Sequence, residues 1–168
     1  TGLRAQTLRA LDVRTDASVL TTAVMTSVAI ALQVGDLVSN ITFKSGATAA
    51  GTPANYWFAL YSADATPALV GQSADQTSTA WAANTVKTLA LTTPYRVPVT
   101  GVYYAAIMVK ASTPPTLLGA SLGLAGASAS ILSSKVLAQT SGSALTDTAP
   151  ATIASPTAIA SVPFAVLT

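Results

Sequence analysis

The chain has no histidine, no cysteine and no glutamate among its 168 residues. Without cysteine, disulfides, thiolate nucleophiles and cysteine-ligated metals are excluded. Without histidine, the commonest general base and a common zinc ligand are also missing. Six aspartates are the only side-chain carboxylates that remain. Catalysis is therefore a poor expectation from composition alone.

The aspartates do not form a pattern typical of an active site. A general acid–base pair needs two carboxylates held a few ångströms apart. Asp36 follows a glycine in a turn, and Asp64 and Asp75 flank a loop, which indicates turn and capping roles. Asp12 and Asp16 could share a cation, but hard cations require more oxygen ligands than these two supply. No phosphate-binding, zinc or nucleophile motif is present. We predict that the protein is not an enzyme and holds no cofactor or metal.

Charge is also scarce. Charged residues make up 8% of the chain and hydrophobic residues 51%, and the net charge is +2. Such a surface is poorly solvated and suits a protein packed against copies of itself or other partners, so we predict a homo-oligomer. The charge is too small for a nucleic-acid-binding face. The uncharged stretch 111–134 contains Pro114-Pro115 and many serines and glycines, so no membrane partner is expected either.

What the sequence does contain is a series of short β-rich runs separated by turn residues at a spacing of roughly ten residues. This pattern predicts an all-β fold, an antiparallel jelly-roll-like β-sandwich of about eight to ten strands. Residues 141–161, rich in Ser, Thr, Ala and Pro, are predicted to be an extended connection. The predicted strands are 19–32 (one long or two short), 37–44, 55–61, 69–73, 86–91, 103–109, 136–139 and 164–167.

Two of these runs, 55–61 and 103–109, are apolar on both faces and are predicted to be central strands. Pro114-Pro115 cannot donate ladder hydrogen bonds, so the chain should leave the sheet there. The predicted core residues from these two runs are Trp57, Phe58, Leu60, Tyr103, Ala105, Ile107 and Val109.

Residues 1–18 are predicted to form an N-terminal arm, either extended or containing a short helix, and residues 19–168 the β-sandwich domain. Arg4, Arg9 and Arg14 are candidate docking residues that would pair with acidic groups of a partner, because this chain supplies few such groups itself. The alternative is that the arm adds an edge strand to its own sheet.

One aromatic residue, Trp81 in "TSTAWAANT", falls in a polar loop between two predicted strands. If the ring is exposed, it could stack on a sugar, with Asp75, Gln76 and Asn84 hydrogen-bonding the sugar hydroxyls. The other interpretation is that Trp81 covers one end of the core. The two interpretations differ in the solvent exposure of the ring.

Four segments together form a recognisable pattern: "VGDLVSNITFKSGATAAGTPANYWFALYSA" (34–63), "LVGQSADQTSTAWAANTVKTLALTTPYRVP" (69–98), "GVYYAAIMVKASTPPTL" (101–117) and "PATIASPTAIASVPFAVL" (150–167). In this order they resemble small virion proteins and minor tail or fibre domains of tailed phages of actinobacteria. The resemblance implies a structural protein displayed on the virion as a capsid decoration, head-fibre or minor tail protein. The virion would be assembled in the host cytoplasm, with major capsid or tail proteins as partners. The alternative is a carbohydrate-binding or host-receptor-binding module of a tail fibre that contacts a cell-surface glycan. The resemblance implies no site residue and leaves the first 33 residues outside its strongest part.

Overall fold

The structure is a computed structural model, and it describes residues 2–7, 12–121 and 135–168. In these residues the regular structure consists of thirteen β-strands, and every strand pair is antiparallel. No described helix is long and apolar enough to cross a membrane. The strands are β1 (Ala5–Gln6), β2 (Arg14–Val19), β3 (Met25–Leu32), β4 (Leu37–Lys44), β5 (Gly51–Tyr61), β6 (Leu69–Gln72), β7 (Val86–Arg96), β8 (Gly101–Thr113), β9 (Thr116–Ser121), β10 (Ala138–Ser141), β11 (Thr157–Ala158), β12 (Ser161–Pro163) and β13 (Ala165–Leu167).

The described strands form three sheets. The largest has the order β11-β10-β3-β8-β5-β6, a second has the order β1-β13-β4-β7, and a small third sheet has the order β12-β9-β2. The inner faces of the two larger sheets share one apolar core, so the predicted all-β sandwich is confirmed. The jelly-roll connectivity stays a prediction.

The main core lies between the two larger sheets. Alternate residues of β4, such as Ile41 and Phe43, meet alternate residues of β5 and β8, such as Phe58 and Ile107. The rings of Phe43 and Phe58 are 4.9 Å apart in an edge-to-face arrangement, which is a favourable aromatic geometry. Burial of every predicted core residue is confirmed, although Trp57 belongs to a second cluster on the opposite face of the sheet.

That second cluster lies on the outer face of the six-stranded sheet. It combines outward residues of β3, β5 and β8 with Ala149 and Ile153. Both of these belong to residues 142–156, which we call the cover segment. Trp57 Nε1 donates a hydrogen bond to the Thr146 carbonyl (2.8 Å), which fastens the cover segment to the sheet. Because an apolar layer packs on each face, the two-sided apolar pattern of β5 and β8 is explained.

The predicted strand 37–44 coincides with β4, and 103–109 lies inside β8. Pro114-Pro115 separates β8 from β9, and β9 pairs with β2 and β12 in the small sheet, so the predicted exit from the sheet is confirmed. The run 19–32 is divided, because β2 ends at Val19 and β3 begins at Met25. The extended connection 141–161 was an incomplete prediction, since the short strand β11 lies within it and β12 begins at its end.

The described parts of the N-terminal segment pair with the chain's own strands. Ala5 lies opposite Leu167 at the edge of the four-stranded sheet, and Ser18 lies opposite Leu117 in the small sheet. In this respect the geometry fits the alternative in which the arm adds edge strands to its own sheets. Residues 8–11, where a short helix was one option, lie outside the described residues.

Candidate functional site

Trp81 is buried, with 1% of its surface exposed. Its ring lies 5.7 Å from the Tyr56 ring and 5.8 Å from the Phe58 ring, and Nε1 donates to the Thr85 carbonyl (3.3 Å). A buried ring presents no face to solvent, so Trp81 cannot stack on a ligand in this structure. The geometry fits the other interpretation, in which Trp81 covers one end of the core.

The polar residues proposed to accompany Trp81 serve their own loops. Asp75 Oδ2 accepts a hydrogen bond from Asn55 Nδ2 (2.7 Å), and Gln76 Nε2 donates to the Ala74 carbonyl (3.2 Å). Asn84 has a positive φ of 55° and its amide N–H donates to the Gly46 carbonyl (2.7 Å). These contacts lie within the protein, and the positive φ of Asn84 is one that asparagine tolerates in turns.

The candidate docking arginines are not gathered in one sheet. Arg4 is exposed just before β1, where its backbone N–H donates to the Leu167 carbonyl (2.8 Å) of the four-stranded sheet. Arg14 is exposed at the start of β2, opposite Gly119 of the small sheet. Arg9 lies outside the described residues. The role of all three in docking stays a prediction.

The turn roles predicted for the aspartates are visible in their contacts. Asp36 Oδ2 accepts from the Gln33 backbone N–H (2.9 Å), and Asp64 Oδ2 accepts from Ser62 Oγ (2.6 Å). Asp16 accepts from the Ala47 backbone N–H (2.7 Å) and from the Thr116 hydroxyl. Within the described part of the chain, no group of three or more His, Cys, Asp or Glu residues could hold a metal ion.

The structure shows a concave site that no sequence motif indicated. Two hollows, of about 380 and 330 Å³, lie side by side, and Lys135 lines both. Residues 65–67 form part of the first hollow, and residues 62–64 form part of the second. We call the pair of hollows the Lys135 groove. Volumes of this size fall within the range of about 300–1,000 Å³ that is typical of ligand sites.

Hydrogen bonds hold the walls of the first hollow in place. The Tyr104 hydroxyl donates to the Val136 carbonyl (2.9 Å), and the Ile153 N–H donates to the Pro67 carbonyl (2.9 Å). Lys135 Nζ donates to the Asp64 backbone carbonyl (2.7 Å) and stands 5.5 Å from the centre of the Tyr104 ring. The first hollow is therefore shaped by contacts already present in the protein alone.

The charges of the Lys135 groove are nearly balanced. Burial lowers the pKa of Lys135, and the negative charge of Asp64 opposes this change. Burial raises the pKa of Tyr95 in the second hollow, with smaller contributions from Tyr103 and Asp64. The ring of Tyr95 is half-buried, so part of it faces the second hollow.

A different kind of surface lies on the outer face of the four-stranded sheet. A groove of about 220 Å³, here called the sheet-face groove, runs between β4, β7, β9 and β13. Val86 at its margin is 61% exposed, and Lys44 is its one charged lining residue among those the structure describes. Its other lining residues include Thr42, Leu118, Phe164 and Val166.

No protein-family model matches the chain, and no curated protein matches its sequence.

Proposed function

We propose that this protein is a structural component of a tailed bacteriophage particle, displayed as a capsid decoration or head-fibre protein or as a minor tail protein. The observation that carries the proposal is the ordered resemblance of four segments to such proteins. In the fold, these segments supply β4 to β8 and the last strands, which are most of the two facing sheets. The protein would be found in the virion after assembly in the host cytoplasm.

The sheet-face groove supports contact with a neighbouring subunit. Apart from Lys44, its described walls are apolar or hydroxyl-bearing, and a half-buried Phe164 and the exposed Val86 lie along it. Exposed apolar surface of this kind is a common feature of protein–protein contacts. We propose that it packs against another copy of this chain or against a major capsid or tail protein.

The N-terminal segment supports a second, charge-based contact. Arg4 and Arg14 are both exposed, and acidic residues of a partner would pair with them. Arg9 belongs to the same proposal. Because β2 begins at Arg14, removal of residues 1–16 would also damage the small sheet. Charge reversal of Arg4 and Arg14 is therefore a sharper test of docking than truncation.

The alternative function, a carbohydrate-binding or host-receptor-binding module of a tail fibre, drew its residue-level support from an exposed Trp81. The burial of that ring removes this support. Packing into the particle is therefore the function that we favour.

Electron microscopy of intact particles tests the proposal. Purified virions would be imaged with and without an antibody fragment raised against this protein, and their proteins identified by mass spectrometry. Symmetric labelling of the head is expected for a decoration or head-fibre protein, and labelling of the tail for a minor tail protein. Absence of the protein from purified virions would reject the proposal.

A further inference from the structure

We propose that the Lys135 groove is a binding site for a short, neutral carbohydrate chain. The inference concerns the groove alone and does not depend on the role of the protein in a virion. It rests on a largely buried amide at the wall of one hollow, on an accessible aromatic ring and on the arrangement of the two hollows.

Gln139 is the first observation. Its side chain is 4% exposed, and it lines the first hollow. Its amide is not among the fully buried polar groups without a partner in the described part of the chain, so the amide atoms reach solvent at the wall of the hollow. A largely buried amide at the wall of a hollow is held in place by its surroundings and offers both a donor and an acceptor there. A ligand in the hollow can therefore exchange hydrogen bonds with both the oxygen and the nitrogen of the amide.

The backbone beside Gln139 is the second observation. Ser155 lines the same hollow and has a φ of 45°, in the left-handed region that serine seldom adopts. Such conformations persist where the surrounding structure imposes them, and they cluster at binding sites. The exposed hydroxyls of Ser155 and Thr66 both line this hollow. Together with Lys135 Nζ and the Gln139 amide, they give it several separate hydrogen-bonding groups.

Tyr95 in the second hollow is the third observation. Its half-buried ring lies 6.3 Å from the Tyr103 ring, and both residues line this hollow. Sugar rings have an apolar face of C–H groups and an edge of hydroxyls, so they suit an accessible aromatic ring beside hydroxyl and amide groups. Tyr95 can therefore provide the stacking surface that the buried Trp81 does not provide.

The arrangement of the hollows selects a linear ligand without strong charge. Both hollows meet at Lys135, so a chain of two or three sugar units can occupy them in sequence. The positive charge of Lys135 is partly offset by Asp64, which favours a neutral ligand over a strongly anionic one. A peptide bound by strand addition would instead need an unpaired strand edge. The hydrogen-bonding groups named for the first hollow are all side-chain groups, so they suit a carbohydrate better than a peptide strand.

The test is an NMR titration of the ¹⁵N-labelled protein with cellotetraose, chitotetraose and maltotetraose, with tetra-alanine as the peptide probe. At least one of the sugars should give saturable shifts at residues that line the groove. Gln139→Leu and Tyr95→Leu should each weaken its binding at least about tenfold, since each removes one set of ligand contacts. Gln33→Leu, at an exposed glutamine that lines neither hollow, is the matched control and should bind as the wild type does.

A thermal-unfolding measurement separates binding from folding. Gln139→Leu replaces a largely buried amide with an apolar side chain, so its melting temperature should equal or exceed that of the wild type. The proposal is overturned if none of the sugars gives saturable shifts up to about 10 mM, a weak-binding limit. Shifts with tetra-alanine alone, or sugar binding that survives both variants, would overturn it as well. Failure to find the protein in virions would leave this result unaffected.

Discussion

Among single residues, Trp81 contributes the largest side chain at one end of the main core. It contacts Tyr56 and Phe58, and the backbone N–H of Ala50 donates to its carbonyl (3.0 Å). Trp81→Ala would remove the whole indole ring and leave a cavity beside two aromatic rings. We expect the free energy of unfolding to fall by about 3–5 kcal/mol. Urea denaturation measures the change, with the exposed Val34→Ala as control. A loss below about 1 kcal/mol would show that the ring is not part of the core.

The burial of Trp81 could not be settled from its sequence neighbourhood. The residues around it are polar or small, so no periodic pattern marks the ring as internal. Its partners Tyr56 and Phe58 lie more than twenty positions earlier in the chain. Phe58 and Ile107 were predictable because their own strands carry a regular apolar pattern. A lone aromatic in a loop carries no such local signal.

At the scale of strands, Gly119 determines how closely β9 and β12 approach. A Cβ at this position would lie 2.3 Å from the Val162 carbonyl oxygen and 3.1 Å from Pro163 Cα. Both atoms belong to the backbone and cannot rotate away. Gly119→Ala should therefore separate the two strands and lower the free energy of unfolding by about 1–3 kcal/mol. Calorimetry would show this as a lower melting temperature.

The matched control for this substitution is Gly2→Ala, because a Cβ at Gly2 would meet nothing within 4 Å. Equal melting temperatures for the two variants would contradict the close approach of β9 and β12. Hydrogen exchange at the β9–β12 ladder gives a local measurement beside the global one.

Two buried tyrosine hydroxyls, one of which holds the cover segment, predict a response to alkaline pH. The hydroxyl protons of Tyr61 and Tyr104 are donated to the carbonyls of Pro150 (2.7 Å) and Val136 (2.9 Å). Burial raises the pKa of Tyr61, and it raises that of Tyr104 to about 12. Because these values exceed the usual 10.0 of unfolded chains, the unfolded state loses its protons first. Stability should therefore be complete below pH 10 and decline between pH 10 and about 12.

Urea unfolding from pH 9 to pH 11.5 measures this decline. Tyr61 and Tyr104 together contribute a slope of at most about 2.7 kcal/mol per pH unit for two protons. Tyr56 and Tyr95, whose pKa values burial also raises, add to the decline. The lowered pKa of Lys135 has the opposite effect, because it makes stability rise with pH below 10.5. Slopes are therefore compared above that pH. Tyr104→Phe should reduce the slope, because one titrating hydroxyl is gone. A slope that is unchanged in this variant would contradict the role of Tyr104.

Strands with a clear two-residue period were the most predictable elements. The alternation in 37–44 gave the bounds of β4, and the two-sided apolar runs indicated central strands. The sequence did not predict that the cover segment packs on the sheet as a separate layer. Its attachment to β5 and β6 includes hydrogen bonds from individual side chains to individual backbone carbonyls. Gln72 Nε2, for example, donates to the Asp147 carbonyl (2.8 Å). Such contacts leave no period in the sequence.

At the scale of the whole molecule, low charge predicted a surface suited to packing, but it did not show where that surface lies. The groove around Lys135 was also hidden, because Tyr95, Lys135 and Gln139 belong to different elements and form no motif. Only the tertiary arrangement brings them together. The sheet-face groove likewise depends on the side-by-side placement of β4, β7 and β13.

The sheet-face groove gives the last prediction, which concerns assembly into the particle. Val86→Arg places a second positive charge directly opposite Lys44, at the margin of a surface that would be covered by a neighbouring subunit, and burying a charge there without an acidic partner is unfavourable. We expect the variant to fold normally, because Val86 is 61% exposed, but to be incorporated into virions at a small fraction of the wild-type level. Val34→Arg, at a valine that is 64% exposed and lies outside the groove, should be incorporated normally. Quantitative mass spectrometry of purified virions would compare the three proteins. Equal incorporation of both variants would show that the outer face of the four-stranded sheet is not the contact surface.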